Sequence, residues 1–511
     1  QRVLEQRRGY GNDTGTGTLE DPGKHYLGTP ERLFLRYGFN YRNRVRFGLS
    51  AEKDPGEALL PAHISDSIKT LLPAFRRTGF DYYSIHFYLS EIGVVKSFVA
   101  GDYHLSFGQG LTLSSARAFG GGGDATRIRR TREGITPHRG AEENLFFRGA
   151  AMTLEWQGLE TTFFYSGNRV DAHLVSDTLD GKEVVFARLD QSGHHRTISE
   201  MQKKNTLHFS VTGARISYRT RRLKVGLTGY QASYEFPLEK RPEVYHAFDF
   251  SGGMQRFGGL DYHFVLRRIS FFGEAAVDGK GAFAQLHGLT AGLHPALTFS
   301  LIYRNYGRGY RNPFSSAFAV GQQGNEQGIY SGLKAQLPHR IILHAYLDLH
   351  RFPWLKFMAD RPSRGKDMVV EFTQNPSKDV SVSVRIRQRS YQRNLTGLKG
   401  FTKPLQGVRK TNFRIRLDYG ISPSVVLGNR LGLVLYQQTG APPASGFLVI
   451  QDIRWKSKGG RFAVSLRYAL FDTDSYNERI YAYEHDVLYA FTIPAYYYRG
   501  NKWIFLCRAR I

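Results

Sequence analysis

The sequence predicts an all-β fold: a large antiparallel transmembrane outer-membrane β-barrel of about 22 to 24 strands, with short periplasmic turns and long external loops. Three observations predict it. Apolar and polar residues alternate along most of the 511 residues, the period at which strand side chains point to opposite faces. Turn-forming residues punctuate these runs, and short turns largely alternate with longer loops. No run of about 18 apolar residues occurs, while Gly (55), Tyr (30) and Phe (36) abound and Met (5) is scarce. A barrel hides its apolar character in alternation, so a polar average is what it should have.

The clearest hairpin is Thr411 to Gln437. Phe413, Ile415, Leu417 and Tyr419 alternate with Asn412, Arg414, Arg416 and Asp418. After Ser422-Pro423 the pattern resumes, with Leu431, Leu433 and Leu435 against Arg430, Gly432 and Tyr436. One face is apolar and the other carries arginine. Little helix and no second apolar face is available to cover the first, so lipid is the simplest cover.

The same unit repeats in chain order. Gln1–Tyr10 reads as the end of a strand, followed by a polar loop. Glu31–Tyr41 alternates, turns at Arg42-Asn43, and continues with Val45, Phe47 and Leu49 opposite Arg44 and Arg46. After a loop from Ala51 to Thr78, Phe80–Leu89 and Val94–Leu105 form the next hairpin. A second loop, Ala116 to Glu143, holds the glycine run 120–123 and the basic cluster Arg127, Arg129, Arg130 and Arg132. Phe146–Trp156 and Leu159–Tyr165 pair about Gln157-Gly158, before a loop with a short helical turn near Ser199–Lys204. Leu207–Tyr218 shifts phase near Gly213, which predicts a bulge. Later turns fall near Arg267-Arg268, His294-Pro295, Pro338-His339, Pro376-Ser377, Lys458-Gly459 and Gly500-Asn501, with a short connection at Asp278-Gly279.

We expect one barrel domain over 1–511. The Trp503–Ile511 strand, following a turn at Gly500, would run outward, so closure calls for an N-terminal piece and a final strand beyond this sequence. The chain opens without a signal peptide, as a trimmed secreted barrel would. The single cysteine, Cys507, excludes an internal disulfide.

The formal charge is +26. In a soluble protein this would point to nucleic acid; in a barrel the question is where the arginines face. The alternation puts Arg36, Arg44, Arg46, Arg304, Arg385, Arg387, Arg389, Arg414, Arg416 and Arg467 on the lumen side. They are a pore lining that attracts anions, one half of a salt-bridged interior, the partners of a bound plug, or, at the rim, partners of lipopolysaccharide phosphates. The loop around Arg127–Arg132 lacks the helix start and Lys-Ser/Thr of a phosphate-binding loop. It either constricts the lumen or covers the outer mouth, and its position favours the cover.

His194-His195, His344 and His350 raise the question of a metal. Spacings of two and four along a strand put His344, Asp348 and His350 too far apart for one ion. No Ser/His or Asp/His constellation marks a hydrolase, so we expect no enzyme, metal or cofactor. Tyr496-Tyr497-Tyr498 and the four tryptophans read as lipid-interface girdles.

Several stretches resemble one family. The runs Arg2–Tyr10, Tyr26–Glu57, Gly101–Leu113, Ile135–Ala151 and Glu478–Tyr497 resemble the large Bacteroidota outer-membrane proteins that carry an N-terminal ComEA-like helix-hairpin-helix region. The resemblance covers nearly the whole chain but only the barrel portion, so no residue here inherits the DNA-binding module's role. It implies a bacterial outer membrane and DNA as a candidate substrate. Asp66-Ser67-Ile68 and Asp177-Thr178-Leu179 resemble the Bacteroidota O-glycosylation sequon, with Ser67 and Thr178 as acceptors in external loops. Two functions follow as expectations. One is a channel or translocon component with a basic lumen; the other is a plugged scaffold subunit of a larger envelope complex. Partners would be outer-membrane lipids and lipopolysaccharide, nucleic acid, and other envelope proteins.

Overall fold

The structure is a computed structural model. It describes residues 25–59, 79–115, 124–140, 142–176, 184–321, 323–395, 397, 400, 402–486 and 492–510. The candidate glycosylation residues Ser67 and Thr178, the glycine run 120–123 and the first predicted strand lie outside them.

The first strands are β1 (Leu33–Tyr41), β2 (Val45–Lys53), β3 (Tyr82–Ile92), β4 (Val95–Ser106) and the short β5 (Gly134–Pro137). Then come β6 (Phe147–Trp156), β7 (Leu159–Val170), the short β8 (Ala172–Ser176) and β9 (Val184–Leu189), and β10 (Leu207–Arg219). The middle of the wall is β11 (Leu223–Leu238), β12 (Gly252–Leu266), β13 (Ile269–Asp278), β14 (Phe283–His294), β15 (Leu297–Tyr306) and β16 (Glu326–Leu337). It continues with β17 (Ile341–Phe352), β18 (Ser363–Gln374), β19 (Val380–Asn394), β20 (Leu405–Ser422), β21 (Val425–Gln438), β22 (Ala444–Lys456) and β23 (Phe462–Thr473). Last are β24 (Ile480–Tyr481), β25 (Ala495–Tyr496) and β26 (Gly500–Ala509).

One sheet takes 24 of these strands, or 21 without the side strands β5, β8 and β9. Those 21 pair antiparallel in chain order, which satisfies backbone groups that lipid could not. Among the described residues no helix is long and apolar enough to cross a membrane; the strands do the crossing. Turns such as 42–44, 157–158 and 267–268 close one end, and longer segments such as 107–146, 307–325 and 474–499 leave the other. At the first turn Arg42 and Asn43 both take positive φ, 50° and 57°, the geometry of a tight hairpin whose twist matches its strands. By the rule for such barrels the end with long connections faces outward.

The outer wall follows the sequence. Leu431, Leu433 and Leu435 on β21 are exposed, as are Ile415, Leu417 and Tyr419 on β20, while Arg414, Arg416 and Arg430 alternate with them across the same ladder. On β17 Leu349 is exposed and Tyr346, Asp348 and His350 are buried.

Three expectations are corrected. Gly213 is not a bulge, because both ladders of β10 run through it in unbroken register. Leu207, Phe209 and Val211 instead face a lumen that is apolar at that level, and Ile216 and Tyr218 face lipid. No hairpin turns at Gly500: β24 and β25 pair only with each other, and β26 joins β23 directly. Consequently β26 runs toward the short-turn end, parallel to β1, and no ladder joins these two strands among the described residues. Tyr496 does not belong to an interface girdle, being buried inside with Ile480 and Ala482.

Candidate functional site

Two loops turn inward and divide the lumen into unlike parts. The first is the segment after β4, predicted to cover the mouth. It packs Phe107, Leu111, Leu113, Ala125 and Ile128 against lumen-facing Phe164, Phe209, Phe257, Phe272 and Tyr330, with Tyr310 and Phe314 of the 307–325 loop joining them. Polar anchors fix it. Buried Glu274 of β13 accepts the backbone N–H groups of Gln109 (2.6 Å), Leu111 (3.0 Å) and Thr112 (2.6 Å). The Ala125 carbonyl accepts from Tyr330 Oη (2.8 Å) and Ser300 Oγ (3.1 Å). Gly332 is required there, since a Cβ would lie 2.2 Å from the Ala125 oxygen.

Of the basic cluster of this loop, Arg130 serves the packing. Arg130 donates to Ser106 Oγ, Ser114 Oγ and the Ser316 carbonyl at 3.1, 2.7 and 2.7 Å. Arg127 is exposed and 4.0 Å from Asp124, Arg129 is half-buried, and Arg132 is exposed. Asp124 also holds Lys334 at 2.9 Å and lies 3.7 Å from His344.

Charges in this part of the wall are matched. Arg304 is fully buried between Glu326 (2.6 Å) and Asp348 (3.0 Å), the salt-bridged alternative raised for it by the sequence. Arg215 pairs with Asp261 at 2.5 Å. Among the other predicted lining residues, Arg36 sits on the lumen face of β1. Arg46 lies over the Tyr88 ring at 5.3 Å. Arg44 falls in the β1–β2 turn, exposed, and is no lining residue.

The second compartment is walled by β18 to β23. Arg385, Arg387, Arg389, Lys410, Arg414 and Arg430 border a cavity of about 640 Å³, closed on one side by Asn477, Arg479 and Tyr481 of the inward 474–499 loop. Register sets like charges face to face: Arg385 opposite Arg414, Arg389 opposite Lys410, and Arg416 opposite Arg430. Such pairs destabilise a sheet. Glu371 relieves the first pair, reaching Arg385 at 3.0 Å and Arg414 at 3.2 Å. Asp367 holds Arg387 at 2.5 Å and is 4.0 Å from Arg389. Asp418 holds Arg416 at 2.6 Å and Arg454 at 2.7 Å, and Asp452 holds Arg467 at 2.6 Å.

Four carboxylates therefore serve a larger set of cations. Arg430, Lys410 and Arg393 make no ion pair among the described residues, and Nε of Arg393, Arg414, Arg430 and Arg454 finds no acceptor there. Lys410 and Arg430 instead donate to loop carbonyls, Lys410 to those of Asn477 and Arg479 and Arg430 to that of Tyr481. Lys410, Arg430 and Arg454 were missing from the predicted lining, although each lies on the same alternate register as its predicted neighbours.

A third cluster lies at the loop end, outside the strands. His195 bridges Asp81 (Nδ1, 2.5 Å) and Asp171 (Nε2, 2.8 Å), with Lys204 on Asp81 and Glu57 accepting the His195 N–H at 2.9 Å. Burial draws the His195 pKa down, but the hydrogen bonds to Asp171 and Asp81 outweigh it and lift it to about 10. Burial and the Asp81 charge push Glu143, 3.9 Å away, up to about 9. Glu57, Asp81 and His195 lie close enough to share an ion, yet both ring nitrogens are already engaged by carboxylates, so the ring is an imidazolium and not a ligand. The cluster fastens loops from four parts of the chain.

A ladder of this length, apolar where it meets lipid and charged within, defines an outer-membrane β-barrel. No protein-family model matches the chain, and no curated protein matches it. Among solved structures it is similar to OmpT, outer-membrane expressed in Vibrio cholerae, at 9% identity and TM-score 0.32, covering 70% of this chain and 99% of that one. It is similar to the outer membrane channel DcaP of Acinetobacter baumannii at 9% identity and TM-score 0.33, covering 70% and 99%. It is similar to OccK5 of Pseudomonas aeruginosa at 12% identity and TM-score 0.31, covering 60% and 93%. These overlaps are loose; the ladder and its apolar outer wall define the fold.

Proposed function

We propose that this barrel is a channel or translocon component that grips or passes an anionic substrate through its cationic compartment. The observation that carries the reading is the like-charged cross-strand pairs at the cavity, Arg385/Arg414 and Arg389/Lys410, with Arg430 beside them facing Arg416. A sheet gains no stability from such pairs, whereas an anion threading between them would find several guanidinium donors without acceptors. A phosphate-rich polymer such as DNA, implied by the family resemblance, fits that chemistry. Both ring nitrogens of His195 are engaged by carboxylates, so that cluster fastens loops rather than contributing to the grip.

The inward residues 107–115 and 124–130 support a second reading, a plugged scaffold in an envelope complex with other proteins. Their packing and the Glu274 anchor are those of a permanent filling. Planar-bilayer conductance with and without short single-stranded DNA separates the two. Anion-selective current blocked by DNA is expected of the channel. A correctly folded barrel that stays silent would leave the scaffold.

A further inference from the structure

The cations on the lipid-facing wall have a different setting from those in the lumen. Near the loop end of β17 to β20, the outward register changes from apolar to basic. Leu349 and Phe372 face lipid; two residues from Leu349 on the same face stands Arg351, and Arg364 and Lys366 share the face of Phe372. The register brings them together: Arg351 lies opposite Arg364, and Leu349 opposite Lys366. Ser390 lies opposite Lys366 and, on its other side, opposite Arg409.

These four cations border an open furrow of about 1010 Å³ whose apolar lining includes Tyr303, Ile329 and Leu349. None of the four makes an ion pair among the described residues. The carboxylates of these strands, Asp348, Asp367, Glu371 and Asp418, are all engaged with lumen arginines. Among the described residues Arg351 is steadied by Gln327, whose Oε1 accepts from its Nε at 2.6 Å. Arg351 facing Arg364 is a like-charged pair, which the wall alone does not reward.

We infer that this furrow binds the phosphate head group of an anionic lipid of the outer leaflet, with the acyl chains lying over Tyr303, Ile329 and Leu349. The charges sit at the end of the strands where that leaflet's head groups lie. Guanidinium groups hold phosphate oxygens in paired hydrogen bonds. Basic pockets on membrane-protein walls select lipid head groups in this way. The apolar lining favours a lipid over free phosphate.

The test uses the full-length barrel in detergent and native mass spectrometry. It is titrated with a phosphorylated glycolipid and with the same lipid dephosphorylated, and the phosphorylated complex is challenged with inorganic phosphate. The wild type should retain the phosphorylated lipid at least tenfold better than its dephosphorylated form. Arg364→Gln/Lys366→Gln should remove that preference, leaving dephosphorylated lipid binding unchanged. Equal retention of both lipids, or an unaltered preference in the variant, overturns the proposal. Complete displacement by millimolar inorganic phosphate does so too, because it assigns the site to free phosphate. Arg409→Gln serves as a second variant should the first fail to fold, with the same outcomes read.

Discussion

In the wall from β10 to β17, the buried guanidinium groups have their own carboxylates: Arg215 has Asp261, and Arg304 has Glu326 and Asp348. From β18 to β23 the ratio reverses, and Glu371, Asp367 and Asp418 are each shared by two arginines. The first part is filled by an aromatic-rich loop; the second retains a cavity. Burial explains the difference. A charge enclosed by packed aromatics must be matched, because an unpaired one is costly, whereas a charge beside a hydrated cavity can remain in excess. The location of unmatched charge is therefore where an anionic substrate has most to gain.

Substitutions can break this contrast. Arg304→Ala strands Glu326 and Asp348 in the filled part, and the loss of one member of a buried ion-pair set costs about 3–5 kcal/mol. A correspondingly lower midpoint of heat-induced unfolding on semi-native gels is expected. Glu274→Ala removes the acceptor of three loop amides, at about 1–3 kcal/mol for the groups left unpaired. The barrel should stay folded while the 107–115 segment becomes open to protease and single-channel conductance rises. Neutralising Arg385, Arg387 and Arg389 to glutamine removes two like-charged pairs but leaves Asp367 without its cations. The unfolding midpoint should therefore fall, by less than in Arg304→Ala because the carboxylate borders a cavity rather than a packed core. Anion selectivity should fall.

The smallest effect concerns pH. His195, raised by folding, contributes fully below its unfolded pKa near 6.5 and loses that contribution as pH rises through about 10. Glu143 acts in the same direction: its cost builds from about pH 4.5 and is complete above about 9. Loops 54–59 and 190–206 should therefore become more protease-sensitive between pH 8 and about 10, with His195→Gln already sensitive at neutral pH. Unchanged cleavage across that range would contradict the fastening role.

Much of the outer wall was legible in the sequence because its cause is local: lipid on one face imposes period two. Arg385, Arg387 and Arg389 could be placed on the lumen side for that reason. Their pairing with Asp367 and Glu371 could not, since it depends on the β18–β19 register. Leu207, Phe209 and Val211 misled because an inward loop makes the lumen face apolar, which looks like a change of phase. Tyr496 misled for a related reason, its ring packing against Phe471 inside rather than at the lipid interface. Beyond the His194-His195 pair itself, the His195 network left no local signal, its members being drawn from Glu57 to Lys204.

The most direct test of the central claim is the reversal potential of the purified barrel under a salt gradient, compared with the Arg385→Gln/Arg387→Gln/Arg389→Gln and Glu274→Ala variants. The account predicts anion selectivity in the wild type, its loss in the arginine variant, and its retention at higher conductance in Glu274→Ala. Selectivity unchanged by removing the three arginines would contradict it.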